Sequence, residues 1–352
     1  MDEGDAKEPG AGDASSAARP VVLCLHPLRP AHQAELEAAY EVHHLVAPDG
    51  DPGAALGAAL GATPGATPGA TPDAEAMLGE LGPSVEAIVT SGHVPLGRDL
   101  LARLPRLGIV ACGSAGTEGI DAEALRERGI PLATVSEALA DEVADLALLL
   151  MLAAWRRLLP LDRHVRSGAW ARGDFPLGRA LTGRRLGIGG MGAIGEATAR
   201  RAEPLGLAVA YFARHPRPHL PWRFEPDLGR LAEASDILVL ALPGGEATRG
   251  IVGAEVIEAL GRGGVAGGCL VNVGRGSVVD EPALVAALRD GRLGSAGLDV
   301  FAGEPEPDGA LLALDNVVLT PHAGSATEET RDAMSRHVLQ SLAAHFAAQA
   351  PT

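Results

Sequence analysis

The stretch LGIGGMGAIGEATAR, residues 186–200, constrains this chain more than any other: Gly190, Gly192 and Gly195 stand between a short apolar run and a helix pattern. In that context the spacing is the signature of a strand–turn–helix unit that holds a dinucleotide. Gly190 permits the tight turn, Gly192 lets the backbone approach a pyrophosphate, and Gly195 allows the helix to pack closely on the strand. The helix start, at Ala193 and Ile194, offers unpaired N–H groups to the anion. Such a unit belongs in a parallel sheet with helices on both faces. Apolar runs near 186–188, 207–212, 237–242, 269–273, 297–300 and 317–319 supply the strands, with helix patterns between them. The same alternation precedes it, with strands near 21–25, 87–90, 107–111 and 130–133 and helices near 31–40, 98–104 and 122–128.

At 352 residues the chain exceeds one comfortable core and predicts two domains. Its formal charge of -16 argues against nucleic acid or an anionic membrane as partner, because polyphosphate binding needs clustered cations. Cys24, Cys112 and Cys269 are widely spaced and form neither a CxxC pair nor an even framework, so no metal site or disulfide is expected and a reducing cytoplasm fits. Residues 1–19 are acidic and rich in Gly, Ala and Ser, unlike a secretory signal, and predict a disordered leader. No run is long and apolar enough to span a bilayer. GATPGATPGATPD, residues 61–73, can neither bury a face nor hold a helix and predicts a surface insertion without a role. DEVADLALLLMLAAWRRL, residues 141–158, is apolar on nearly every side of a helical projection, which predicts a helix buried between layers, domains or subunits.

Three residues beyond strand ends carry the chemistry. LVNVGRGSVVD, residues 270–280, presents Arg275 between two glycines, where a guanidinium can meet a carboxylate and a carbonyl bidentately. LDVFAGEPEP, residues 298–307, puts Asp299 at a strand end and Glu304 in the loop beyond it. VVLTPHAGSATEETR, residues 317–331, puts His322 after a strand and before a helix, with Gly324 in the turn. A ketone that accepts a hydride leaves an alkoxide in need of a proton, and His322 is the best-placed acid, with Glu304 to hold its ring. The other histidines, His26 among them, lack such context and read as structural or exposed. After the second strand of the glycine-turn unit, VAYFARHPRP (residues 209–218) carries Arg214 and Arg217 and lacks the acidic residue that would bind a free ribose hydroxyl. Cations there suit a 2′-phosphate, so NADP(H) is favoured over NAD(H).

At these residues the chain resembles the D-specific 2-hydroxyacid dehydrogenases, over about residues 85–346. VNVGRG, LDVF with a following EP, and TPHAGSAT are that family's signatures in its order. Within the family, LPGGEATRGIV (242–252), VRSGAWARGDFPL (165–177) and the Arg-containing turn look most like NADPH-dependent hydroxypyruvate, hydroxyphenylpyruvate and glyoxylate reductases. The resemblance implies reduction of a 2-oxo acid to the D-2-hydroxy acid. It makes Arg275 the substrate binder, His322 the proton donor, Glu304 its partner and Asp299 the holder of the nicotinamide carboxamide. Leu242, Pro243, Val273 and Gly324 would line the cofactor. Ala115 and Gly116, in CGSAGTEGID (112–121), match the loop whose N–H groups bind the substrate carboxylate, with Gly92 in the facing loop.

The implied architecture is α/β: two Rossmann-like doubly wound domains, with a cofactor domain (122–322) inserted into a flavodoxin-like substrate domain (20–121 and 323–352). The final helix returns to the first domain. A homodimer through the long apolar helix and an arm bearing Trp170 is expected. Three departures from the pattern stand out. Gly189 replaces an aliphatic residue and should loosen its strand. Ala140 replaces a common Thr. The longer stretch 263–268 threatens to displace Arg275. An NAD-linked D-lactate or phosphoglycerate dehydrogenase would share the fold, as would a dinucleotide-sensing corepressor. The complete Arg275, Glu304 and His322 set argues for chemistry.

Overall fold

The computed structural model describes residues 19–45, 72–264 and 267–349. The expected leader and most of the 61–73 repeat lie outside these residues; the repeat's last two, Pro72 and Asp73, open a helix, Pro72–Leu81.

Twelve described strands form two sheets, each parallel throughout. The first joins β1 (Val21–Cys24), β2 (Glu41–His44), β3 (Ala87–Thr90), β4 (Ile109–Cys112) and β5 (Leu132–Thr134) in the order 2-1-3-4-5. The second joins β6 (Arg185–Gly189), β7 (Ala208–Phe212), β8 (Arg223–Phe224), β9 (Ile237–Leu240), β10 (Cys269–Asn272), β11 (Ser295–Leu298) and β12 (Val317–Leu319) in the order 8-7-6-9-10-11-12. These are the flavodoxin-like and the dinucleotide-type doubly wound orders, and each opens a crevice at its carboxyl edge where the strand order reverses. Strands β3, β4, β9, β10 and β11 are buried along their whole length. Helices on both faces require this, which is why those strands read as continuous apolar runs.

The structure corrects the expected division at residue 121. Strand β5 pairs with β4, from Val110↔Leu132 to Cys112↔Thr134, so residues 122–134 belong to the first sheet. The crossover to the second sheet is the helix Ser136–Trp155, which packs on β9 to β12, on the helix Ala193–Ala202 and on the C-terminal helix Glu328–Gln349. A Cβ on Gly297 would stand 2.9 Å from the Leu150 Cβ, so the bare glycine lets that helix lie close on β11. The helix is not buried all round: Val143, Ala147, Leu150, Met151 and Ala154 face the protein, whereas Leu149 is 55% exposed and Asp141 and Asp145 reach solvent. The C-terminal helix packs on β4 and on the helix Pro30–Ala39, and so returns the chain to the first sheet.

Gly189 does not loosen β6, which pairs through Gly189↔Phe212 and Gly189↔Leu240. The glycine leaves room for Leu240, whose Cδ2 would lie 3.0 Å from an added Cβ. The long stretch before β10 is absorbed ahead of the strand, because Cys269↔Ile237 through Asn272↔Leu240 stay in register.

The turn after β6 carries its glycines for separate reasons. Gly190 has φ +99, and an added Cβ would press on the Ala241 carbonyl at 2.6 Å. A Cβ on Gly195 would overlap the Gly190 carbonyl oxygen, whereas Gly192 faces open space. Gly195→Ala should therefore cost about 1–3 kcal/mol through overpacking against backbone, while Gly192→Ala should stay within about 0.5 kcal/mol. Thermal unfolding of the two variants beside the parent checks the contrast.

Candidate active site

The carboxyl ends of both sheets meet at one cleft of about 520 Å³. From the first sheet come His26, Ser91, His93 and the loop 113–118; from the second come Val273, Arg275, Asp299, Glu304, His322 and Gly324. Residues 275, 304 and 322 thus converge because β10, β11 and β12 are neighbours that all end on the same edge.

His322 Nδ1 and Glu304 Oε2 are 2.8 Å apart, and Glu304 Oε1 accepts from the Phe301 N–H at 3.0 Å. The carboxylate is therefore fixed by backbone and fixes the ring in turn, leaving His322 Nε2 for the cleft. The ring is about half exposed, accessible to a ligand. His322 has φ +52, in the left-handed region that a side chain rarely adopts. Asp299 holds it there. Its backbone carbonyl accepts from His322 N–H at 2.9 Å. Its side chain, 1% exposed by residue, accepts from Thr320 Oγ1 (2.6 Å), Ala323 N (2.7 Å) and Gly324 N (2.9 Å). This anchoring role was not read from the sequence, where Asp299 stood only for a carboxamide contact; the spacing of Thr320 and Gly324 after a strand end is the one signal that hinted at it.

Arg275 leaves β10 on a scaffold supplied by buried Asn272, whose amide donates to the Arg275 carbonyl (2.9 Å) and accepts from Gly274 N (3.0 Å). Its guanidinium crosses the cleft: Nε donates to Glu118 Oε1 at 2.8 Å, and Nη1 to the Gly274 carbonyl at 2.8 Å. Glu118 Oε1 also accepts from Gly244 N at 3.3 Å, so one carboxylate ties the first-sheet loop to two loops of the second sheet. Sequence reasoning missed Asn272 and Glu118, since neither has a signature apart from its neighbours in space. An added Cβ on Gly116 would overlap Arg275 Nη2, so the bare backbone there is what admits the guanidinium.

Ser114 staples the facing loops, accepting from Gly92 N (2.8 Å) and donating to the Gly116 carbonyl (2.7 Å). Gly92 is thus a buried support, and Ala115 and Gly116 reach the cleft. Their N–H groups make no hydrogen bond among the described residues. Ile194 and Val273 line the cleft, with Gly190, Gly192 and Ala193 in the adjoining turn and buried Leu242 against Gly190. The Pro243 carbonyl accepts from Thr248 Oγ1 at 2.7 Å, which folds back its loop. Arg214 and Arg217 are exposed beyond β7, and neither side chain has an ion pair or hydrogen bond among the described residues. Trp170 is 63% exposed and lies outside the cleft lining. His26, expected to be merely structural or exposed, lines the cleft instead, because the loop after β1 ends on the same edge as that after β3.

The glycine turn fits the pyrophosphate of a dinucleotide: Gly192 has open space where a Cβ would stand, and the helix Ala193–Ala202 has no side-chain cap on its first N–H groups. The family model for the NAD binding domain of D-isomer specific 2-hydroxyacid dehydrogenases matches residues 148–324. The chain belongs to that family. It is 45% identical to a hydroxyphenylpyruvate reductase of Plectranthus scutellarioides over 263 residues, 75% of this chain and 83% of that protein. It is 36% identical to a 2-ketogluconate reductase of Gluconobacter oxydans over 330 residues, 94% of this chain and 96% of that one. Among solved structures it resembles an NADPH-dependent glyoxylate/hydroxypyruvate reductase of Sinorhizobium meliloti, in complex with NADP and malonate, with 38% identity and a TM-score of 0.76 over 94% of each chain.

The placement of Arg275 depends on Asn272, which holds the backbone on either side of Gly274. Asn272→Ala should cost about 1–3 kcal/mol through the two backbone groups it leaves unpaired. Chemical denaturation measures that loss, and a matching drop in turnover should accompany it.

Proposed function

We propose that this protein reduces a small 2-oxo acid to the D-2-hydroxy acid by hydride transfer from a nicotinamide cofactor, with hydroxypyruvate, glyoxylate and hydroxyphenylpyruvate as candidate substrates. The observation that carries the reading is the 2.8 Å contact between His322 Nδ1 and Glu304, set in one cleft with Arg275 and the free N–H groups of the Ala115–Gly116 loop. A bound dinucleotide would supply the hydride. Gly190, Gly192, Ala193 and Ile194 would hold its pyrophosphate, Leu242, Pro243 and Val273 would flank it, and Asp299 and Gly324 would hold its carboxamide. Ala115 and Gly116 receive the substrate carboxylate on backbone N–H groups. Arg275 binds carboxylate and carbonyl, drawing charge toward the carbonyl oxygen as it becomes an alkoxide. His322 then gives that oxygen a proton from Nε2 while Glu304 keeps the ring in place. The first sheet is the substrate side and the second the cofactor side.

Exposed, unpaired Arg214 and Arg217 favour NADP(H) over NAD(H). A homodimer is favoured by the exposed apolar side chains Leu149, Leu158, Leu159, Val165, Trp170 and Leu177, which gather in one stretch of chain. Light scattering should give twice the chain mass, and a monomeric mass rejects it. Three free cysteines, all buried, suit the reducing cytoplasm. No helix among the described residues is long and apolar enough to cross a membrane.

His322→Ala should lower kcat by about 10²–10⁴-fold, with far smaller change in cofactor binding; stopped-flow and fluorescence titration separate the two. Arg214→Ser should lower kcat/KM for NADPH about tenfold or more while sparing NADH, as read from cofactor oxidation with either nucleotide.

A further inference from the structure

His26, Ser91, His93 and Arg331 line the cleft and take no part in the hydride step. They come together because β1 and β3 are neighbours in the first sheet, so the loops that follow them lie side by side, and the C-terminal helix starts beside both. Ser91 Oγ and His93 Nδ1 are 2.7 Å apart, which fixes the ring of His93. His26 meets that ring edge to face, with centroids 5.8 Å apart and planes at 83°. Among the described residues Arg331 is a cation without a counter-ion: Glu328 and Asp332 on the same helix are both taken by Arg29, and the Arg331 side chain pairs neither with Glu329 nor with any other described residue.

The group has a definite chemical character. Burial, and the neighbouring charges of His93 and Arg331, hold the His26 imidazole below the ordinary histidine range, so near neutral pH it is an uncharged ring with one donor and one acceptor nitrogen. Arg331 offers donors only. A hydroxyl group, which both gives and accepts a hydrogen bond, suits this mixture. A methyl or phenyl group would strip water from Arg331 and both rings and return nothing. Most of the apolar lining of the cleft, Leu139, Val143, Ile194 and Val273, comes instead from the second sheet and the helices packed on it; Ala115 and Met334, the latter one turn from Arg331, add to it from the first-sheet side.

We propose that His26, His93 and Arg331 recognise hydroxyl groups on the carbon chain beyond the 2-oxo acid, so that this site selects hydroxylated 2-oxo acids over alkyl- and aryl-substituted ones. The proposal rests on the reading of the cleft as a 2-oxo acid reductase site. Ser91 is a positioning residue that acts through His93. Sites built to bond a substrate hydroxyl discriminate strongly against the analogue without it, because their own polar groups are left unpaired.

The test compares kcat/KM for hydroxypyruvate and pyruvate, which differ by one hydroxyl, with glyoxylate as the reference that has no tail. The hydroxyl also makes the ketone more electrophilic, so the decisive comparison is between parent and variants rather than between substrates. In His93→Ala and in Arg331→Leu the hydroxypyruvate-to-pyruvate ratio should fall by about tenfold or more, mostly through KM. His93→Gln, which keeps a donor, should recover part of that ratio. A ratio unchanged within about twofold in both variants, while glyoxylate is reduced, overturns the tail assignment alone. A parent protein that reduces none of the three acids overturns the reading of the cleft and this proposal with it.

Discussion

A single buried side chain, that of Asp299, decides whether His322 and Glu304 meet at all. Four hydrogen bonds run from the segment 320–324 to Asp299, three to its side chain and one to its backbone carbonyl. They hold His322 in a backbone conformation that costs a side-chain-bearing residue about 1–3 kcal/mol elsewhere. A typical intramolecular hydrogen bond contributes about 0.5–1.5 kcal/mol net, so the set of four is enough to match or exceed the strain. The result is a ring whose direction follows from β11 and β12, the two strands that Asp299 and His322 adjoin. Glu304 then needs only to reach Nδ1 from the loop beyond β11.

The first sheet meets the second through a further charged contact. Glu118 and Arg275 are both about two-thirds buried, and their bond spans the gap between the two sheets. Because Glu118 also accepts from Gly244, a closing motion of one sheet on the other would act on Arg275, on the loop after β9 and on the loop 113–118 together. Gly116 is what makes this geometry possible, since any side chain there would occupy the guanidinium's place. Both crevices follow from parallel order, and a cleft shared between them follows from the helix Ser136–Trp155 that carries the chain from one sheet to the other.

Much of this was legible in the residues. Parallel strands buried on both faces read as apolar runs, and the glycine turn, VNVGRG and TPHAGSAT mark three strand ends on the side where ligands bind. Less visible were elements whose pattern is set by their surroundings. Strand β2, EVHH, is an edge strand with partly exposed residues, and β8 has two residues; neither carries an alternation to detect. The short run near 130–133 reads as a strand, and the structure has it at Leu132–Thr134, but sequence order does not say whether a strand adds to the old sheet or opens a new one, so a division at residue 121 puts it in the wrong sheet. The roles of Asn272, Glu118 and Asp299 depend on which loops face each other. His26 carries no local signal at all: its place in the cleft follows from the adjacency of β1 and β3.

The proposed reaction is hydride delivery to the second carbon of a 2-oxo acid from one face, with a proton from His322. Turnover of glyoxylate is silent on the face, so the direct measurement uses hydroxypyruvate and NADPH deuterated at the reactive position, with the product resolved by chiral chromatography and NMR. The D-2-hydroxy acid bearing one deuterium at C2 is the expected product. An L product, or one without deuterium at that carbon, would contradict the account.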